Sequence, residues 1–128
     1  MNNLEKEFIP YQEAFELKEL GFDEPCFGYY INNKFQFFAD VRSCNTNSEF
    51  GFYPTAPTYS QAFKWFRKKG YRFSVIIDSP LAEEESHYIE IWFEKQFLHE
   101  SHYIYKTYED GELGLLKKLI QYEKEKQQ

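Results

Sequence analysis

The 128 residues carry a formal net charge of −6 and are crowded with aromatics, 14 Phe, 11 Tyr and 2 Trp, against a single Met. A chain this acidic is a poor candidate for wrapping nucleic acid, which requires a basic face to release counterions. Two cysteines are too few for a disulfide scaffold, and no apolar run is long enough to cross a bilayer. The length suits one domain over 1–128, with 1–7 and 125–128 expected as flexible ends. No signal-peptide pattern opens the chain, so a cytoplasmic protein with free thiols is expected, a Cys26–Cys44 bridge being the lesser alternative.

In chain order, Pro10 suits the first turn of a helix because its missing N–H would be unpaired there anyway. The pattern predicts a helix over 10–20, with Tyr11, Ala14, Phe15, Leu17 and Leu20 inward and Gln12, Glu13, Glu16 and Glu19 outward, stopped by Gly21. An aromatic run over 26–31, the turn Asn32-Asn33 and a segment over 34–41 read as a β-hairpin, since Asn tolerates the left-handed turn conformation. The polar stretch 43–48 reads as a surface loop. Phe50, Phe52 and Tyr53 read as an irregular aromatic lid closed by Pro54 and Pro57.

Thr58 and Gln61 form a capping-box pattern. Tyr59, Ala62, Phe63 and Phe66 then fall at helical spacing on one stripe, and Gly70 ends that helix. The segment 71–78 predicts a strand finishing in a buried Val75-Ile76-Ile77. A turn over 79–86 bears Pro80 and Glu83-Glu84-Glu85. In 87–94, Tyr88, Glu90, Trp92 and Glu94 share one face and Ile89, Ile91 and Phe93 the other. After a turn at Lys95-Gln96 a further strand is expected over 97–106, bulged near Glu100. Thr107 then caps a last helix over 108–124 with Leu113, Leu116, Leu119 and Ile120 inward, its first turns weakened by Gly111 and Gly114. Tyr11-Gln-Glu-Ala-Phe15 echoes Tyr59-Ser-Gln-Ala-Phe63, as either a degenerate αββ duplication or convergent capping grammar. The order α-β-β-α-β-β-β-α predicts an α+β fold, an antiparallel sheet of about five strands with three helices mainly on one face.

Chemistry-bearing motifs are sparse. His99 and His102 have a metal-like spacing with His87 upstream, but on a strand those two positions face opposite ways. Neither cysteine sits at a nucleophile elbow, and the six glycines form no phosphate loop. No catalytic residue, metal ligand or cofactor is assigned. Charge is uneven: residues 31–78 carry three acids and seven bases, and 79–112 carry nine acids and two bases. Lys64, Arg67, Lys68, Lys69 and Arg72, interleaved with Trp65, are the best nucleic-acid candidate, against the ordinary preference for cations at a helix C-terminus. Surplus tyrosine points to a protein interface, and the acidic segments to docking on a basic surface, including a nucleic-acid-binding groove of another protein.

The segments over 8–30 (FIPYQEAFELKELGFDEPCFGYY), 56–67 (APTYSQAFKWFR) and 107–120 (TYEDGELGLLKKLI) resemble small proteins encoded by phages and prophages of Bacteroidota. That resemblance transfers no active site. It implies a phage accessory protein in the host cytosol, a setting in which small acidic proteins counter host defence, anti-CRISPR inhibitors among them. The expectation is a non-enzymatic protein that binds a host protein or ribonucleoprotein, such as a CRISPR nuclease. Its anchors would be Tyr29, Tyr30, Trp65, Tyr88 and Trp92, with steering by Glu83, Glu84, Glu85, Arg67, Lys68 and Lys69. The alternative is a nucleic-acid-binding accessory protein using the basic face of 58–69, and a small metal-dependent enzyme is the third reading.

Overall fold

The computed structural model describes residues 3–39, 44–77, 83–102 and 104–128. Expectations placed on Asp40, Val41, Ser43, Pro80 and Tyr103 lie outside the described residues. The fold is α+β, with helices α1 (Tyr11–Glu19), α2 (Asn47–Phe50), α3 (Tyr59–Lys68) and α4 (Tyr108–Gln127). The strands are β1 (Gly28–Ile31), β2 (Lys34–Phe37), β3 (Thr55–Ala56), β4 (Tyr71–Ile77), β5 (His87–Phe93) and β6 (Gln96–Glu100). They divide into two antiparallel sheets, β2-β1-β3 and β4-β5-β6, where a single sheet of about five strands is the sequence expectation. The chain correspondingly falls into two compact units, residues 1–63 with 123–128 and residues 64–122.

In the first unit, Pro10 is the residue before α1, at ψ 163°, and Gly21 ends the helix with φ +100°. Glu13, expected outside, is buried, and Phe15, expected inside, is 38% exposed. The β1–β2 hairpin closes through Asn32 and Asn33, both at positive φ. This is the left-handed pair that a two-residue hairpin turn demands. β3, missed in the sequence, pairs with β1 through Gly28↔Ala56 and Tyr29↔Thr55.

The stretch expected as a surface loop carries the unit's buried polar hub instead. Asn47 donates to the Phe22 carbonyl (2.7 Å) and accepts from the Thr55 N–H (2.9 Å) and hydroxyl (3.1 Å). One amide thus satisfies groups from two separate segments, which an apolar residue would leave unpaired. Residues 3–7 form a 3-10 turn rather than a frayed end, and α4 continues to Gln127. Within the first unit Gln127 donates to the Leu20 carbonyl and Lys124 pairs with Glu16. The capping box is formed as read: Gln61 N–H donates to Thr58 Oγ1 (3.1 Å) and Thr58 N–H to Gln61 Oε1 (2.9 Å).

In the second unit, β4 and β5 pair along their whole length, from Tyr71↔Phe93 to Ile77↔His87. The turn between β5 and β6 sits at Glu94-Lys95, with Glu94 at φ +52°, one residue earlier than read. β6 is shorter than expected. Its register skips Leu98 between Ile91↔His99 and Trp92↔Phe97, a bulge two residues before the position anticipated. Thr107 caps α4 by accepting from the Asp110 N–H (3.0 Å). Leu115, Leu116, Leu119 and Ile120 are its buried hydrophobic side chains, so Leu115 takes the place assigned to Leu113.

Candidate interaction surface

The period-two pattern of β5 decides what its sheet offers. His87, Ile89 and Ile91 are buried on one face. α4 covers that face closely: a Cβ on Gly111 would come within 2.7 Å of Val75 Cγ1, and one on Gly114 would collide with the Tyr105 ring. These glycines, read from sequence only as helix weakeners, are the condition for that approach. Burial here also withholds His87, whereas His99 is half-buried and His102 exposed. His87 is buried, its Nδ1 meets no hydrogen-bond partner among the described residues, and its Nε2 lies 3.6 Å from Glu85. His99 lies on the bulged strand, its pKa lowered by burial and by Lys118.

The other face carries Arg72, Ser74 and Ile76 of β4, Tyr88, Glu90 and Trp92 of β5, and Phe97 and Glu100 of β6. Register places Arg72 and Phe97 on either side of Trp92, and Ser74 and Glu100 on either side of Glu90. Trp92 and Phe97 meet edge to face with centroids 5.2 Å apart, yet remain 37% and 47% exposed. The indole N–H donates to Glu90 Oε1 at 2.6 Å. That bond fixes the ring's orientation, which lowers the entropy lost when a partner packs on it. Glu90 and Glu100 stand directly opposite each other, an arrangement unfavourable for like charges. A cation brought by a partner would relieve it, and the adjacent π-faces favour the same charge.

The proposed anchors are thus dispersed. Tyr88 and Trp92 share this face, and Phe97, absent from the sequence list, completes it. Its place opposite Trp92 is set by the turn at Glu94-Lys95, and the bulge beyond it brings Glu100 opposite Glu90. Glu83, Glu84 and Glu85 are exposed just before β5 and add negative charge to the same strand's start. Tyr30 is only 8% exposed, its hydroxyl donates to the Ile9 carbonyl (2.6 Å), and burial pushes its pKa up to about 12. Its role is structural. Tyr29 is half-buried between Phe38 and Phe50 (4.7 and 4.8 Å).

The basic cluster is partly turned onto its own aromatics. Lys69 Nζ lies 4.4 Å from the centroid of Trp65, and the Arg67 guanidinium lies 5.8 Å from that of Phe73. A base stacking on Trp65 would have to displace Lys69. Lys64, Arg67 and Lys68 are exposed on α3, and Arg67 and Lys68 lie in its last turn, where the helix dipole favours cations.

Cys26 is fully buried, donates to the Glu24 carbonyl (3.4 Å), and burial pushes its thiol up to about 11. At neutral pH it holds no thiolate for nucleophilic work. Both cysteines are free. Among the described residues, no three His, Cys, Asp or Glu side chains converge on a metal-sized site, and no helix is long and apolar enough to cross a membrane. Compared with family models, with curated proteins and with solved structures, the chain matches none of them.

Proposed function

We propose that the protein is a non-enzymatic binding protein whose open β4-β5-β6 face docks on a basic surface of a host defence complex. The observation that carries this reading is the Trp92–Phe97 pair, ordered by the Glu90 bond and left exposed beside Glu90 and Glu100, with Arg72 as the one cation at its edge. Oriented aromatics of this kind anchor protein interfaces, and charge complementarity around them sets partner choice and association rate. Basic, solvent-exposed surfaces of that extent are what nucleic-acid-binding grooves present. Together with the phage resemblance, this favours a ribonucleoprotein nuclease as target, inhibited by occupation of its nucleic-acid channel, as an anti-CRISPR protein would. Direct nucleic-acid binding by α3 is the weaker reading, because Trp65 is already covered by Lys69.

The test is titration of the purified chain into CRISPR nucleases with their guides, reading DNA cleavage, beside affinity capture from host extract. Wild type is expected to inhibit one nuclease at near-stoichiometric ratio, and Trp92→Ala with Phe97→Ala to lose both inhibition and capture. Full cleavage throughout, with no protein retained by wild type and released by the double variant, overturns the proposal.

A further inference from the structure

The first unit holds a concavity of about 550 Å³ beside its hairpin, a size within the range of small-molecule pockets. Local geometry builds its walls. In the 3-10 turn of residues 3–7, three residues per turn bring Leu4 and Glu7 to the same side. Phe8 follows, fixed by its antiparallel bridge to Thr58. From the hairpin, the Phe38 N–H donates to the Phe27 carbonyl (2.9 Å), which carries the β1–β2 pairing one residue beyond Gly28↔Phe37. All of these side chains line the space, Phe37 included.

Most of its rings are held in place by other rings. A Cβ on Gly28 would fall 2.5 Å from the Phe35 ring, so Phe35 lies directly over that glycine. There it packs on both Phe8 and Phe37, with centroids 4.6 and 4.8 Å away, and those two meet each other edge to face at 5.7 Å. Phe38 is held likewise by Tyr29 and Phe50 (4.7 and 5.1 Å). Phe27 differs: it meets no other ring among the described residues and is 44% exposed, and Leu4 is 57% exposed. Polar groups are scarce in this lining. The Thr58 hydroxyl is taken up by the capping box, where it accepts from the Gln61 N–H. The Glu7 carboxylate meets no cation and no hydrogen-bond donor among the described residues.

We propose that this cavity binds a small organic ammonium ion whose nitrogen is attached to an apolar body. Aromatic faces carry the negative part of the ring quadrupole, so phenylalanine walls favour a cation over a neutral group of the same shape. Glu7 is the one charged group of the lining, and its sign is the one a cation needs. Residues 1–30, which supply most of the lining, carry seven acids against two bases, so the surrounding segment attracts the same charge. An anion would meet only repulsion from Glu7. A metal ion would find a single carboxylate among hydrocarbon rings, too few ligands to hold it. The space is that of a drug-sized molecule rather than of a bare ammonium group, so the apolar body fills the remainder against Leu4 and Phe37. The site is built from residues of the first unit and does not rest on what the β4-β5-β6 face binds.

The test titrates phenyltrimethylammonium into the full chain and follows both by nuclear magnetic resonance. The neutral isostere tert-butylbenzene and the anion benzoate serve as controls. The cation is expected to saturate the site with a Kd below about 1 mM, at least about ten-fold tighter than the isostere. Its N-methyl protons should move upfield, as protons over ring faces do, and benzoate should not bind. Phe27→Leu keeps an apolar side chain but removes the ring least tied to the fold, and should weaken the cation about ten-fold. Glu7→Gln keeps the shape without the charge. It should weaken the cation about three-fold, the modest effect of an exposed carboxylate, and leave the isostere unchanged. Both positions are exposed, and an unchanged circular dichroism spectrum checks that each variant folds. No saturation by about 10 mM, an isostere bound as tightly as the cation, or affinity lost in Trp92→Ala but kept in Phe27→Leu overturns the inference.

Discussion

The two units use the same aromatic-rich composition differently, although each leaves rings exposed, Phe27, Phe37 and Phe52 in the first and Trp92 and Phe97 in the second. In the first unit the rings pack on one another: Phe8 on Phe35 and Phe37, Phe35 on Tyr30, and Phe50 on Tyr29 and Phe38. Its polar groups are spent internally, with Asn47 linking α2 to β3 and Tyr30 bonded to Ile9. The second unit places its aliphatics, Ile89, Ile91, Leu116 and Leu119, beneath the sheet and leaves Trp92 and Phe97 above it. An aromatic residue therefore says little by itself about stability or binding. Which face its strand buries decides the matter.

If the first unit is held by its internal polar hub, Asn47→Ala should produce the largest loss of stability. It strands the Phe22 carbonyl and both Thr55 donors, at a cost of roughly 3 kcal/mol, measurable by chemical denaturation. A loss under about 1 kcal/mol would mean the hub is not what orders α2 against β3. In the second unit, Trp92→Ala should do the reverse. Target affinity should fall by roughly 2 kcal/mol, about thirty-fold, as hot-spot truncations do, while the denaturation midpoint stays nearly unmoved. A collapse of the fold instead would make Trp92 a core residue and erase the contrast.

Alkali sharpens the comparison further. Tyr30 and Cys26 both keep their protons more tightly when folded, Tyr30 to about 12 and Cys26 to about 11. The unfolded chain therefore releases protons first as pH rises, and the stability these two groups contribute should fall between pH 9 and pH 12, being constant below that range. Tyr30→Phe should remove the Tyr30 share of that slope in pH-dependent denaturation, leaving the remainder intact. The smallest effect is expected from Thr58→Ala, which deletes one side of the capping box and should cost about 1 kcal/mol. Serine at the same position should restore it.

Much of this was legible in the residues before any tertiary contact was known. The capping box at Thr58, the Asn32-Asn33 turn, the Gly21 and Gly70 stops and the two faces of β5 follow from short-range geometry. Each depends on neighbours no more than a few residues apart. The inward stripe of α3 was equally plain, since Ala62, Phe63 and Phe66 are all buried. Half of the candidate site was readable too, because alternation alone put Tyr88, Glu90 and Trp92 together.

What the tertiary structure decided was everything that depends on a distant partner. It split the strands into two sheets, because two residues at Thr55 and Ala56 close one side of β1 and are too few to signal a strand. It turned Asn47 from a loop residue into a buried hub, since only the convergence of Phe22 and Thr55 gives its amide three partners. It made Glu13 inward and Ile77 outward against their hydropathy, because burial is a property of what packs above a residue. The turn at Glu94-Lys95 set Phe97 opposite Trp92, and a one-residue slip at Leu98 that no local pattern announces brought Glu100 opposite Glu90. Local chemistry thus determined the elements and their faces, and long-range packing determined which of those faces stayed open to a partner.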